Sequence, residues 1–251
     1  MDPSFLGVPD VNFWMFSGLT LFAAFTAFVG IATGAAGGLV MMVGLASIFP
    51  PVISIPLHTI VQLGGNASRV LFMWKYIMRP VLLPFVIGGV LGSVLGANIF
   101  ISLPVAILQG LLGISVLIFL WMPVINQMGG RRHRFAIIGF FATFLGVFVS
   151  ATGTLVAPFV ASEAQDRRNH VATFSTLMAI VHILKLIAFG FLGFALADYW
   201  PLMLSMVCAA VAASYVGSKA LHHMKERNFR VIFKTICTFL ALRLIWIAMG
   251  F

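Results

Sequence analysis

Ten apolar segments follow one another along this 251-residue chain, and no Asp or Glu falls inside any of the long ones. They lie at about 12–33, 38–50, 56–77, 80–101, 104–124, 134–150, 154–163, 169–195, 199–219 and 229–250. A helix needs roughly 20 apolar residues to cross a hydrocarbon core, and eight of the ten are long enough. With 61% hydrophobic and 8% charged residues, the chain has too little polar surface to coat a water-soluble globule. Because the apolar excess runs throughout, one hydrophobic anchor on a soluble domain is excluded as well. The expected fold class is an all-α polytopic membrane protein.

Charge constrains the orientation. The net charge of +9 comes mostly from loop clusters: Arg131, Arg132 and Arg134; Arg167 and Arg168; Lys219, Lys225, Arg227 and Arg230. Clusters of this kind follow the positive-inside rule and do not suggest a nucleic-acid partner. Cys208 and Cys237 both lie in apolar segments without metal-ligand spacing, so buried thiols are expected and no disulfide is indicated. No cofactor or metal site is expected. The N-terminus, with Asp2 and Asp10 and no basic residue before the first apolar run, does not resemble a cleavable signal peptide.

Two segments, the second and the seventh, are too short to cross. Each follows a break rich in small residues, Thr33-Gly34-Ala35-Ala36-Gly37-Gly38 and Ser150-Ala151-Thr152-Gly153-Thr154. The breaks belong to an internal repeat. Shifting the chain by 116 residues aligns Phe28–Val40 with Phe144–Val156, with six of thirteen positions identical. The same shift sets Asn66 opposite His182 and Arg69 opposite Lys185. Two repeats of about five segments, 1–126 and 127–251, are therefore expected. If both short segments reverse the chain, the basic loops gather on one side, and both termini fall on the other, predicted outside. An odd number of crossings per repeat then inverts the second relative to the first, a recurrent design of secondary transporters.

The breaks are candidate solute contacts. Unpaired N–H groups at a helix N-terminus carry partial positive charge and hold anions. Thr33, Ser150, Thr152 and Thr154 add hydroxyls there. Small residues would equally allow tight helix crossing. In the third segment His58, Gln62, Asn66 and Arg69 recur at helical spacing on one face, and Ser175, His182 and Lys185 form a comparable stripe in the eighth. Arg69 follows Pro56 by thirteen residues, about 20 Å along a helix, which places it away from the entry end. An intramembrane cation without a carboxylate partner is costly, and an anion that binds and leaves would serve as the partner. Snorkelling of Arg69 and Lys185 to headgroups is the competing reading. His58 and His182 could couple a proton to anion movement, or simply hydrogen-bond between helices.

On the break Gly30-Ile-Ala-Thr-Gly34-Ala-Ala-Gly37-Gly38, the apolar run to Pro50-Pro51, the polar helix around Ala67-Ser68-Arg69 and the weaker second copy, the chain resembles the sulfite exporter TauE/SafE family of membrane permeases. The likeness covers Gly30 to the end. It implies movement of sulfite, sulfonates and related oxyanions across the bacterial cytoplasmic (inner) membrane. By position it points to Gly34, Gly37, Gly38 and Arg69 in the first half, and to Gly153, Thr154 and Lys185 in the second. The second break is poorer in glycine than the family pattern. The implied partners are a small anionic solute and membrane lipid, and a homodimer is the assembly to be tested.

A secondary carrier working outward by alternating access is thus expected, with Arg69 and Lys185 neutralising one central anion. An anion channel, or a permease for other small organic acids, is the alternative. An intramembrane enzyme is disfavoured, since HExxH, GxSxG and paired intramembrane carboxylates are all absent from the sequence.

Overall fold

The computed structural model describes residues 4–33, 36–121, 131–149, 152–191 and 197–220, together with parts of 235–249. The described residues are helical, with turns and short 3₁₀ pieces between helices. In chain order the helices are α1 (Phe13–Thr33), α2 (Ala36–Ala46), α3 (Pro51–Met73), α4 (Leu82–Ser102), α5 (Val105–Trp121), α6 (Arg131–Val149), α7 (Gly153–Ala161), α8 (Arg167–Phe191) and α9 (Trp200–Ala220). Beyond α9, helical residues recur between 235 and 248. The expected repeat boundary at 126/127 lies outside the described residues, as do Gly34 and Ser150.

Windows within α1 and α8, one from Arg79 into α4 and one from Ala197 into α9, are long and apolar enough to cross a membrane. Helix α3 is less apolar than these because it carries the polar stripe, and the described part of α5 has 17 residues. The outward faces meet the requirement of a lipid solvent: Leu83, Ile87, Leu91 and Val94 on α4 are all exposed. Cys208 on α9 is exposed as well, not buried as its apolar segment suggested. On a membrane helix a small apolar side chain is equally at home facing lipid.

Packing follows a two-fold pattern. Helix α1 packs along α9 and α6 along α4, α9 and α4 lean on α3 and α8 respectively, and α3 packs against α8. Exchanging α1 with α6, α3 with α8 and α4 with α9 leaves the pattern unchanged. The residues agree, since Leu19 and Val61 in one core cluster correspond by the 116-residue shift to Phe135 and Leu177 in another.

Inversion shows in which chain ends meet. Val8 and Val11, which precede α1, share a core cluster with Phe49 beyond α2 and with Tyr199 before α9. The Phe49 and Tyr199 rings meet edge to face at 6.1 Å. This end of the bundle also carries Asp10 and Asp198, beside those residues in the sequence. At the opposite end Arg134, in the first turn of α6, pairs with Glu163 just beyond α7. Asn169 of α8 donates to the Tyr76 carbonyl there (2.9 Å), and Thr173 Oγ1 accepts from Met78 N–H (2.9 Å). Both α2 and α7 therefore return the chain to the end from which α1 and α6 set out. The acidic end and the basic end are distinct, with Lys75, Arg79 and Arg168 exposed at the second.

Close crossings hold the paired helices. A β-carbon added at Gly88 would overlap the Ala136 carbonyl, and one at Gly92 the Phe140 carbonyl, so α4 and α6 touch backbone to backbone. Thr143 Oγ1 donates across this seam to the Gly89 carbonyl (2.7 Å). Small residues at such seams allow dense dispersion contact where lipid gives no hydrophobic drive between helices.

Candidate anion site

The site is set by where α3 begins. The apolar pattern suggests a start at Pro56, with Pro50-Pro51 closing α2. Instead α2 ends at Ala46, Pro50 is the extended N-cap of α3, and Pro51 occupies its first turn. Proline fits there because the first N–H groups of a helix have no internal partner. The helix then continues through Pro56. Arg69 thus lies four residues from the last residue of α3, Met73, about 6 Å from its end. It sits away from the entry end, as expected, and nearer the basic end than a segment running to 77 implies.

Along α3 the polar stripe faces inward. His58 and Asn66 are buried, at 1% and 6% exposure, and Gln62 and Arg69 are partly buried. All four line a cavity of about 50 Å³. Roughly 10–15 Å³ of such volume accommodates one water, so a small oxyanion fits. Gly38 of α2 and Gly153 of α7 also reach this cavity, which brings both short-helix N-termini to one place. His182 of α8 and Ser214 of α9 complete the polar lining from the other repeat.

Local contacts explain the glycines. Gly37 packs so tightly against α1 that a β-carbon would overlap the Thr26 carbonyl and the Gly30 backbone. At Gly38 a β-carbon would come within 2.6 Å of Gln62 Nε2. The missing side chain lets the Gln62 amide lie against the start of α2. His58 Nε2 donates to the Gly38 carbonyl (2.9 Å), which ties α3 to the same turn. Gln62 Nε2 stands 3.4 Å from that ring nitrogen. Asn66 Nδ2 donates to the Gln62 carbonyl (2.8 Å), while Asn66 Oδ1 has no hydrogen-bond partner. His58 Nδ1, His182 Nδ1 and Thr154 Oγ1 are likewise buried without one. Buried polar atoms left unpaired are costly and point to a missing partner.

The second-half residues are placed differently from the first. Thr152 is buried, is the N-cap of α7 without a side-chain capping bond, and stands beside Gly146. Lys185 is fully buried and packs near Gly146 of α6, outside the cavity lining. Since α3 and α8 run antiparallel with His58 beside His182, Arg69 and Lys185 diverge toward opposite ends, roughly 20 Å apart along the axes. A single small anion does not bridge them within this cavity. Thr33 reaches the end of α1, and its side chain lies outside the described ones.

Phe174 and Met178 line the cavity and were not among the expected contacts, and Gln62, expected only as part of the polar stripe, lines it too. The 116-residue shift holds the signal, because it sets Phe174 opposite His58 and Met178 opposite Gln62. The repeat has therefore kept a polar face on α3 and an apolar one on α8. None of the described residues lining the cavity is acidic.

The described helices form a polytopic bundle in which two returning short helices bring their N-termini and an arginine to a cavity with no acidic residue among its described lining, an architecture that suits a membrane transport protein. The chain matches the family model described as "Sulfite exporter TauE/SafE" over residues 19–244, and it belongs to that family of membrane permeases. No curated protein and no solved structure matches the chain.

Proposed function

We propose that this protein is a secondary transporter of small sulfur-containing anions, sulfite or short organosulfonates, moving them outward across the bacterial cytoplasmic membrane. One observation carries the reading: the cavity combines Arg69, the amides of Gln62 and Asn66 and the N-termini of α2 and α7, with no carboxylate among its described lining residues. Partial positive charge from the helix ends and full charge from Arg69 favour an anion over a cation or a neutral solute. Phe174 and Met178 give the cavity an apolar wall, which suits a solute with a short carbon tail.

Alternating access follows from the inverted pattern. In the arrangement described, the first repeat's cation lines the cavity and the second repeat's cation is packed away. Exchange of the two repeat conformations would open the equivalent space at α6 and α8 and bring Lys185 to the solute's other exit. The positive-inside rule puts the Arg134–Glu163 end in the cytoplasm.

Purified protein in liposomes tests this directly. Vesicles preloaded with unlabelled ethanesulfonate should accumulate labelled ethanesulfonate transiently, and sulfite should compete. Flux without such trans-stimulation would make the protein a channel. Competition by acetate but not by sulfite would make it a permease for carboxylic acids.

A further inference from the structure

His58 and His182 come from different repeats and meet edge to face, with ring centroids 6.1 Å apart and an interplanar angle of 67°. Their exposures are 1% and 4%, and both line the cavity. The Gly38 carbonyl can only accept, so His58 carries a hydrogen on Nε2 and, in the neutral ring, a bare lone pair on Nδ1. That atom and His182 Nδ1 are buried without hydrogen-bond partners. Two imidazoles therefore hold unused proton-binding capacity at the wall of the anion site. The charged groups facing them are Lys185, on α8 itself, and Arg69, on α3 farther along the cavity. Helices α1, α2, α7 and α9 add no titratable side chain to the cavity's described lining.

Resting on the transport reading above, we propose that the His58–His182 pair takes up one proton together with each anion, so that the carrier moves the two as an electroneutral unit. The proton comes from water on the side from which the anion enters. An N–H bond forms at a bare imidazole nitrogen as the O–H bond of hydronium breaks, and the reverse occurs at the exit. The anion's negative charge and the added positive charge cancel, so no net charge crosses per cycle. Coupling is mutual: an anion in a low-dielectric cavity favours the imidazolium, and by linkage the imidazolium tightens the anion by the same factor. Net direction is then set by the anion and proton gradients and not by membrane voltage. Outward flow occurs wherever the cell's own anion gradient exceeds the opposing proton gradient.

Ethanesulfonate is the probe, because it stays a monoanion across the working pH range. Proteoliposomes are assayed in three arms: counterflow at equal pH, uptake driven by an acidic exterior with voltage clamped by potassium and valinomycin, and uptake driven by voltage at equal pH. In parallel, an indicator dye follows protons taken up as ethanesulfonate binds the detergent-solubilised protein. The expected result is counterflow, several-fold accumulation under the pH gradient, none under voltage alone, and about one proton bound per site. In a His58→Gln/His182→Gln double variant, accumulation under the pH gradient, taken relative to that variant's own counterflow, should disappear. Normal wild-type counterflow with voltage-driven accumulation, or with no proton uptake on binding, would overturn the coupling and leave the transport reading intact. Absence of both wild-type counterflow and ethanesulfonate binding would instead sink the transport reading and the coupling with it. If the double variant fails to fold, the wild-type arms and the dye titration still decide.

Discussion

Arg69 and the two adjacent glycines of the first break carry the sharpest expectations at the scale of single residues. Arg69 is the guanidinium at the cavity, whereas Arg79 is exposed beyond the end of α3. A charge-assisted hydrogen bond is worth about 1.5–3 kcal/mol, so Arg69→Gln should raise the half-saturating ethanesulfonate concentration roughly 10- to 100-fold. Arg79→Gln should change it less than about 2-fold, as expected of a surface charge far from the solute. Equal effects in the flux assay would remove Arg69 from the site. Gly37 and Gly38 separate structure from binding. An added methyl at Gly37 meets fixed backbone, so Gly37→Ala should cost about 1–3 kcal/mol and lower the melting temperature of the detergent-solubilised protein. At Gly38 the obstacle is the flexible end of Gln62. Gly38→Ala should keep a near-normal melting temperature while weakening anion binding, and the same two measurements tell these cases apart.

What the residues reveal at the level of elements depends on whether the signal is local. The breaks were legible because glycine, serine and threonine interrupt otherwise apolar runs, and the polar stripe of α3 was legible because its spacing is helical. The start of α3 was misread because proline marks helix beginnings and ends alike, and only the N-cap at Pro50 distinguishes them. The helix also stops at Met73 and not at 77, which brings Arg69 closer to the basic end. Lys185 matched Arg69 in sequence, yet antiparallel packing of α3 on α8 turns equivalence into separation, and no local pattern reports this. The returning course of α7 was an expectation from charge bias, and the Arg134–Glu163 pair gives it a measurable consequence. Both side chains are mostly buried, at 11% and 15% exposure. A double-mutant cycle of Arg134→Gln and Glu163→Gln, read by thermal unfolding, should show a coupling energy of about 1 kcal/mol. Additive effects would mean that α6 and α7 are not joined there.

At the scale of the whole molecule, the two-fold exchange of helices joins the fold to the proposed cycle. A duplicated unit inserted in both orientations gives each repeat the same set of contacts with its direction reversed, and small differences between the repeats are enough to favour one conformation. The cations at 69 and 185, one at the cavity and one packed away, are such a difference. A two-fold inverted cycle requires that α2 and α7 each turn back before crossing. If α7 crossed fully, Ser162 would share a membrane face with Asp10; if it returns, Ser162 shares a face with Arg79. All three positions are exposed, as is Asp198. In a background with Cys208 and Cys237 replaced, single cysteines at 79 and 162 should react with a membrane-impermeant maleimide from one side of oriented vesicles. Cysteines at 10 and 198 should react only from the other. Labelling of 162 together with 198 would place a complete crossing between α6 and α8, break the correspondence of α7 with α2, and leave the two short-helix N-termini without a common solute to face.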